Sequence, residues 1–311
     1  MYKVGIIGTG IIGEVHMKAI ANIEDLCIAA VVDVNEDKAV KVAEEYNCPY
    51  FLDYKKIDTP LDAVIINLPH FLHAEVACWF LERGVHAFVE KPMATSYAEC
   101  LAMIEAAEKG GAKLAVGHVQ RYFKGNEVVK KFYEEKTFGE LAMTNERRNI
   151  FYFDDSRPRW FLSKKLSGGG IFMNYGAHGL DRLLYITGAN VTEVNSNCTH
   201  LLPDFDVEGH AQVFLKFDSG VSSVMTFCGY RGFSEEETTF YFTEGAVRFI
   251  FPNKIEIATN GQFEPYELEN DGNPFERQLR EFVKYLDGKE STIPTGEYGA
   301  NIIRLIQKAY Q

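Results

Sequence analysis

The sequence predicts two domains: an α/β half with a mostly parallel sheet, then an α+β half built on a large, mostly antiparallel sheet. Three observations carry this. Residues 1 to about 117 alternate short apolar runs with amphipathic stretches, the signature of crossover-connected parallel strands. Past Tyr122 the pattern changes to β-rich runs parted by short turns, which read as antiparallel neighbours. The length of 311 residues suits about two domains.

In the first half, strands are expected at Lys3–Ile7, Ile28–Val32, Ala63–Asn67, Ala87–Val89 and Leu114–Val116. Helices are expected near Gly13–Ile23, Glu36–Glu45, Leu72–Arg83 and Tyr97–Lys109. Gly8-Thr9-Gly10-Ile11-Ile12-Gly13 joins the first strand to the first helix. Its first glycine permits a tight turn, its second lets a pyrophosphate approach the backbone, and its third lets helix and strand pack closely. The helix N-terminus then offers its free amides to phosphate. Asp33 lies twenty residues past Gly13, at the end of the second strand, where a carboxylate can hold the adenosine ribose hydroxyls. It would repel a 2′-phosphate, and no arginine follows it closely, so NAD is expected over NADP.

Ligands of an open parallel sheet sit at the carboxyl ends of its strands. Two further loops reach that edge. Asn67-Leu68-Pro69-His70-Phe71-Leu72-His73 should border the cofactor, with His73 packing or hydrogen-bonding at the helix start. No third ligand accompanies the two histidines, so no metal is expected. Glu90-Lys91-Pro92 follows Ala87–Val89, and its proline makes a rigid turn that aims its neighbours. Lys91 is a candidate catalytic residue, and Glu90 a cofactor-side neighbour.

In the second half, a helix is expected around Glu127–Tyr133. Strands are expected at Leu141–Phe153, Val191–Thr199, Ala211–Phe217, Val221–Phe227, Thr238–Phe242, Ala246–Ile250 and Lys254–Ala258. Helices at Phe275–Leu286 and Tyr298–Tyr310 follow. Gly168 to Asp181 is the most informative stretch here. Helical spacing sets Asn174, His178 and Asp181 on one face. Gly176 and Gly179 lower helix propensity, which suggests close approach to another group, such as nicotinamide or the other domain. His178 is the second candidate catalytic residue. Asn174, Tyr175, Arg121 and Trp160 are candidate substrate contacts. Asp181 is expected to orient His178 or cap local polar groups. Arg157-Pro158-Arg159-Trp160, with Lys164 and Lys165, lines a substrate or cofactor cleft or forms a solvated loop.

Composition narrows the function classes. A net charge of −12 and a pI of about 5.2 argue against nucleic acid and anionic membrane surfaces as partners. No apolar run approaches the ~20 residues of a membrane helix. No secretory signal is visible, and six scattered cysteines read as reduced thiols, so a cytoplasmic location is expected.

These residues together resemble the Gfo/Idh/MocA family, the glucose–fructose oxidoreductase and inositol dehydrogenase group. The matching features are Gly8 to Gly13, Asp33, the Pro69–His73 loop, and Gly84-Val85-His86-Ala87-Phe88-Val89-Glu90-Lys91-Pro92. Val116-Gly117-His118-Val119-Gln120-Arg121-Tyr122 looks like the family's crossover between domains, and Gly168–Asp181 its catalytic helix. The resemblance implies a Rossmann domain over residues 1–118. It implies an α+β substrate and oligomerisation domain over 119–311, the C-terminal helix able to pack back on the first. It implies NAD(P)-dependent oxidation or reduction of a sugar, cyclitol or related polyol, and a homodimer or homotetramer formed on the open sheet face. Many members carry Asp where this chain has Asn174, which puts in doubt any role needing a carboxylate there.

Hydride transfer from a secondary alcohol needs a base for the hydroxyl proton. Lys91 and His178 are both candidates, since an oxidised nicotinamide favours the neutral form of a nearby lysine and histidine titrates near neutrality. His178 is read as the acid/base and Lys91 as the hydroxyl partner. The competing readings are a non-enzymatic, dinucleotide-sensing regulator of the same fold, and a reductase acting on an imine or an unsaturated ring.

Overall fold

Strands that are apolar along their whole length need cover on both faces, and the first sheet of this computed structural model, which describes residues 1–311, has it. Its strands are β1 (Tyr2–Ile7), β2 (Leu26–Val32), β3 (Tyr50–Phe51), β4 (Ala63–Ile66), β5 (His86–Glu90) and β6 (Leu114–Gly117). They run parallel in the order β3-β2-β1-β4-β5-β6. Helices α1 (Ile11–Ile20), α2 (Glu36–Tyr46), α3 (His70–Leu81) and α4 (Tyr97–Gly110) connect them. All four residues of β4 are fully buried, as are Val4, Ile6 and Phe88. The order reverses between β1 and β4, so the loops after those two strands flank the crevice where ligands of such sheets bind.

Two deviations from the expected elements have clear causes. α1 starts at Ile11, because Gly10 adopts an extended conformation just ahead of it. β3 has only two residues, too few for alternation to reveal.

The chain divides into two compact units, Met1–Val119 with Gly272–Ile303, and Gln120–Asp271 with Arg304–Gln311. The first unit takes in α8 (Pro274–Leu286) and much of α9 (Gly296–Ala309), where the expected division at 118/119 left the C-terminal helix able to pack back on the first domain. The reason is apolar. Phe282 of α8 is fully buried and meets Phe88 edge-on at 5.4 Å between ring centroids. Asn273 caps α8, and Pro274 occupies its first turn.

The second unit contains α5 (Lys124–Glu134), the short α6 (Lys164–Ser167), α7 (Ala177–Thr187) and the strands β7 (Leu141–Asn149), β8 (Val191–Thr199), β9 (His210–Phe217), β10 (Ser222–Cys228), β11 (Glu235–Phe242), β12 (Gly245–Ile250), β13 (Lys254–Ala258) and β14 (Glu264–Tyr266). The sheet order is β14-β13-β12-β11-β7-β10-β9-β8. Every pair is antiparallel except β7 with β10, which is parallel. Alternation sorts its faces: Ala211, Val213, Leu215 and Phe217 of β9 are buried, whereas Gln212 and Lys216 are exposed. β7 ends at Asn149 rather than at Phe153.

A buried polar layer sits in this unit. Arg182 of α7 is 1% exposed. It donates to Asn126 Oδ1 (3.1 Å), Thr238 Oγ1 (2.8 Å) and Gln120 Oε1 (2.8 Å), and lies 3.3 Å from Glu146 Oε2. Burial pushes Glu146 above the ordinary carboxylate range although Arg182 and Arg148 oppose it. Removing one member strands the others without charge balance, which costs about 3–5 kcal/mol. Arg182→Met should therefore lower the unfolding free energy by about that amount, seen as a reduced denaturant midpoint; an unchanged midpoint would refute the role given to this layer.

Candidate functional site

In the first unit the glycine turn has distinct reasons for each glycine. Gly8 holds φ +93° and lies against the Asn67 carbonyl. A side chain at Gly13 would strike the Gly8 carbonyl. Gly10 differs: its φ is −68°, and a Cβ there would meet nothing within 4 Å. The protein itself does not require glycine at that position, whereas an external group approaching the backbone would. Gly10 caps α1 without any side-chain bond, so the first-turn amides stay open to an anion. Ile11 is 83% exposed at that lip.

Asp33 braces the turn. Its Oδ2 accepts from the Thr9 amide (3.0 Å) and hydroxyl (2.7 Å), and Oδ1 from the Asn35 amide (2.9 Å). Partial burial works against ionisation, yet the bonds from Asn35 and Thr9 hold the carboxyl below its ordinary value. Asn67, after β4, extends the ladder through its amide to the Ile7 carbonyl, and its buried side-chain Oδ1 has no partner. Leu68 and Pro69 follow, half-buried. His73 is fixed between two backbone carbonyls, Leu68 at 2.8 Å and Pro92 at 3.0 Å, and burial pushes its imidazole below the ordinary value. It thus ties the β4 loop to the β5 loop.

Glu90, read from the sequence as a cofactor-side neighbour, turns its carboxylate inward. Oε1 lies 2.7 Å from His16 Nε2, and Oε2 accepts the Lys91 amide at 3.2 Å. Burial opposes its ionisation; His16, the Lys91 charge and the Lys91 amide outweigh it and hold it below the ordinary value. The Lys91–Pro92 bond is cis. His16, fully buried against Phe88 and Phe275, went unnoticed in the sequence because a lone histidine on an apolar helix face carries no signal of its partner.

In the second unit the glycine-led segment is not one regular α-helix. Phe172–Gly176 forms a π-helical turn that runs into α7. The i,i+4 relation of Asn174 to His178 is therefore not that of a regular helix. Both are buried, at 6% and 7% exposure. The glycines also have local reasons. A Cβ at Gly179 would strike the Glu146 carboxylate and Met225, and one at Gly176 would strike Phe172. Contacts inside this unit therefore already require glycine at both positions.

Asp181 was expected to orient His178 or to cap polar groups, and Arg121 to face substrate. The structure pairs the two with each other: Arg121 Nη2 donates to Asp181 Oδ1, the two side chains being 6% and 0% exposed. Burial drives this outcome, since a charge held there needs a counter-charge. Trp160 stacks on Phe161, with 3.8 Å between centroids. The half-buried Tyr175 has Arg148 over its ring at 3.9 Å and accepts a hydrogen bond from Arg157 at 3.4 Å.

What holds the segment is Glu208, which no sequence pattern marks. Its carboxylate accepts from the amides of Gly170 (2.6 Å), Phe172 (2.9 Å) and Met173 (3.3 Å), and from the Tyr310 hydroxyl (2.7 Å). It occupies the positive end of the helix and satisfies its free donors.

Comparison with known proteins agrees with this architecture. Residues 2–118 match the family model of the oxidoreductase family with NAD-binding Rossmann fold, and residues 127–248 match the GFO/IDH/MocA C-terminal domain. The chain is 26% identical to 2,7-anhydro-N-acetylneuraminate hydratase of Escherichia coli over 80% of its own length and 67% of that protein's. It is also 26% identical to myo-inositol 2-dehydrogenase of Thermotoga maritima, over 96% and 92% of the two chains. The crystal structure of aldose-aldose oxidoreductase from Caulobacter crescentus superimposes with a TM-score of 0.90, at 26% identity, covering 99% and 96%.

The hold of Glu208 can be measured. Glu208→Ala leaves three amides and a hydroxyl without their acceptor and should cost roughly 3 kcal/mol or more, whereas Tyr310→Phe removes one donor and should cost about 1 kcal/mol. Equal urea midpoints for the two variants would contradict this ranking.

Proposed function

The chain belongs to the GFO/IDH/MocA oxidoreductase family and is an NAD(P)-dependent enzyme, and from that we propose that it transfers hydride to or from a secondary alcohol carbon of a sugar, cyclitol or related polyol. The observation that carries the cofactor half is Gly10, a glycine with open space at an uncapped helix N-terminus. Gly8, Thr9, Ile11, Ile12, Gly13 and the Asn67-Leu68-Pro69 loop would hold the dinucleotide, which supplies the hydride acceptor.

The remaining work falls to side chains. His178 takes the hydroxyl proton in the oxidation direction and returns it in reduction. Lys91 donates a hydrogen bond to the same oxygen and stabilises the charge developing on it. Asn174 and Tyr175 grip the substrate's other polar groups. Asn174 brings no charge, so it orients without competing for the proton. A regulator of the same fold would need the glycine turn but neither Lys91 nor His178. No observation favours that reading, and the relatives named above bear enzyme names.

Asp33 supports NAD over NADP. Its carboxyl is held ionised and sits beside the turn, where a 2′-phosphate would be repelled. A second copy of the chain is the proposed macromolecular partner. The outward face of the eight-stranded sheet supports this, with Met143 48% and Val224 44% exposed on the neighbouring strands β7 and β10.

Lys91→Ala and His178→Ala should each cut turnover by about 10²- to 10⁴-fold while leaving NAD affinity within a few-fold. Reduced-cofactor absorbance over a polyol and sugar panel, with NAD titration by fluorescence, checks both; full activity in either variant would sink the assignment. Asp33→Ser should shift the kcat/KM ratio toward NADP by about tenfold or more, and a ratio that does not move would remove Asp33 from cofactor choice.

A further inference from the structure

Arg157 is a cation without a counter-ion in a protein of net charge −12. No carboxylate lies within 4.0 Å of its guanidinium. The plane stacks on Tyr152 at 4.1 Å and faces Phe161 at 5.1 Å. Its Nε is excluded from solvent and makes no hydrogen bond, and its one side-chain bond is a long one, 3.4 Å, to the Tyr175 hydroxyl. Asp154, an acid that feels its charge, is exposed and spends its Oδ1 on the Ser156 amide and hydroxyl.

A partly dehydrated cation normally finds a carboxylate in its own chain, as Arg121, Arg148 and Arg182 all do here. Arg157 is the exception, and it touches Tyr175, one of the proposed substrate contacts. Asn174 is next in sequence to Tyr175, so the same segment carries a neutral amide. The cluster therefore presents one unneutralised planar fork, a phenol and an amide.

We propose that Arg157 is a substrate-binding residue and that the substrate is a polyhydroxy carboxylate, a sugar acid whose carboxylate pairs with this guanidinium. The inference rests on the hydride-transfer reading and narrows its substrate class. A carboxylate fits better than a phosphate because a single fork with one charge matches a monoanion in planar, bidentate geometry. A phosphate dianion would call for a second unpaired cation, and the neighbouring Arg148 is already paired with Glu236 at 2.5 Å.

The test is calorimetric binding of glucuronate, galacturonate and gluconate, each against glucose, galactose or sorbitol as the matched neutral compound, to the NADH-loaded protein. Glucose 6-phosphate is a further arm. At least one acid should bind about 10- to 100-fold tighter than its neutral match. That gap should close in Arg157→Met and be partly kept in Arg157→Lys, with NADH affinity unchanged in both. No preference for any acid, a preference that survives Arg157→Met, or tighter binding of glucose 6-phosphate than of every acid would each overturn the proposal. Turnover with NAD, read separately, distinguishes the two ideas. Oxidation of neutral polyols alone, indifferent to Arg157→Met, leaves hydride transfer standing and defeats the acid assignment. Arg157-dependent acid binding without turnover by any compound defeats hydride transfer instead.

Discussion

A helix leaves its first amides without partners, and the two helix starts nearest the proposed chemistry meet this constraint in opposite ways. At the segment leading into α7, Glu208 supplies an internal carboxylate to three amides, so that end is closed and fixed. At α1, Gly10 caps without a side chain, and that end is left open. One helix start is part of the scaffold, and the other is suited to a ligand. The remaining features of each unit serve these two ends: Asp33 and Asn67 shape the open one, while Tyr310 braces the closed one.

Charge is handled with the same economy. Arg121, Arg148 and Arg182 all pair with acids in the second unit. Buried pairs of this kind add little net stability, but they penalise any rearrangement that would separate them. The pairs come from β7, β11, α7 and the crossover turn at Val119–Tyr122, so they fix the depth at which α7 lies on the sheet. Gly179 marks the same depth from the other side, since only glycine lets the helix come so near to Glu146 and Met225.

Much of this was legible in the sequence, and the part that was not has a common cause. The parallel sheet, the glycine turn, Asp33 and the position of Glu90-Lys91-Pro92 are local patterns, and periodicity or spacing reveals them. The π-helical turn at Phe172–Gly176, the Arg121–Asp181 pair, the inward turn of Glu90 to His16 and the anchoring by Glu208 all depend on partners far away in the chain. His16 and Glu90 are separated by 74 residues, and Glu208 and Tyr310 by 102. Nothing in a local window distinguishes Glu208 from a solvated loop acid. Nor does a local window show which core α8 and most of α9 cover, because an amphipathic helix does not announce its partner.

The interleaving of the chain has a consequence for synthesis. A ribosome releases chain from the N-terminus, and domains commonly fold as they emerge. Here the first unit is not complete until residue 303 is made, and the second lacks Tyr310 for Glu208 until residue 310. Neither unit is complete while most of the chain is already exposed. Nascent chains of this protein must therefore wait with both cores unfinished, and the two units mature almost together rather than in sequence.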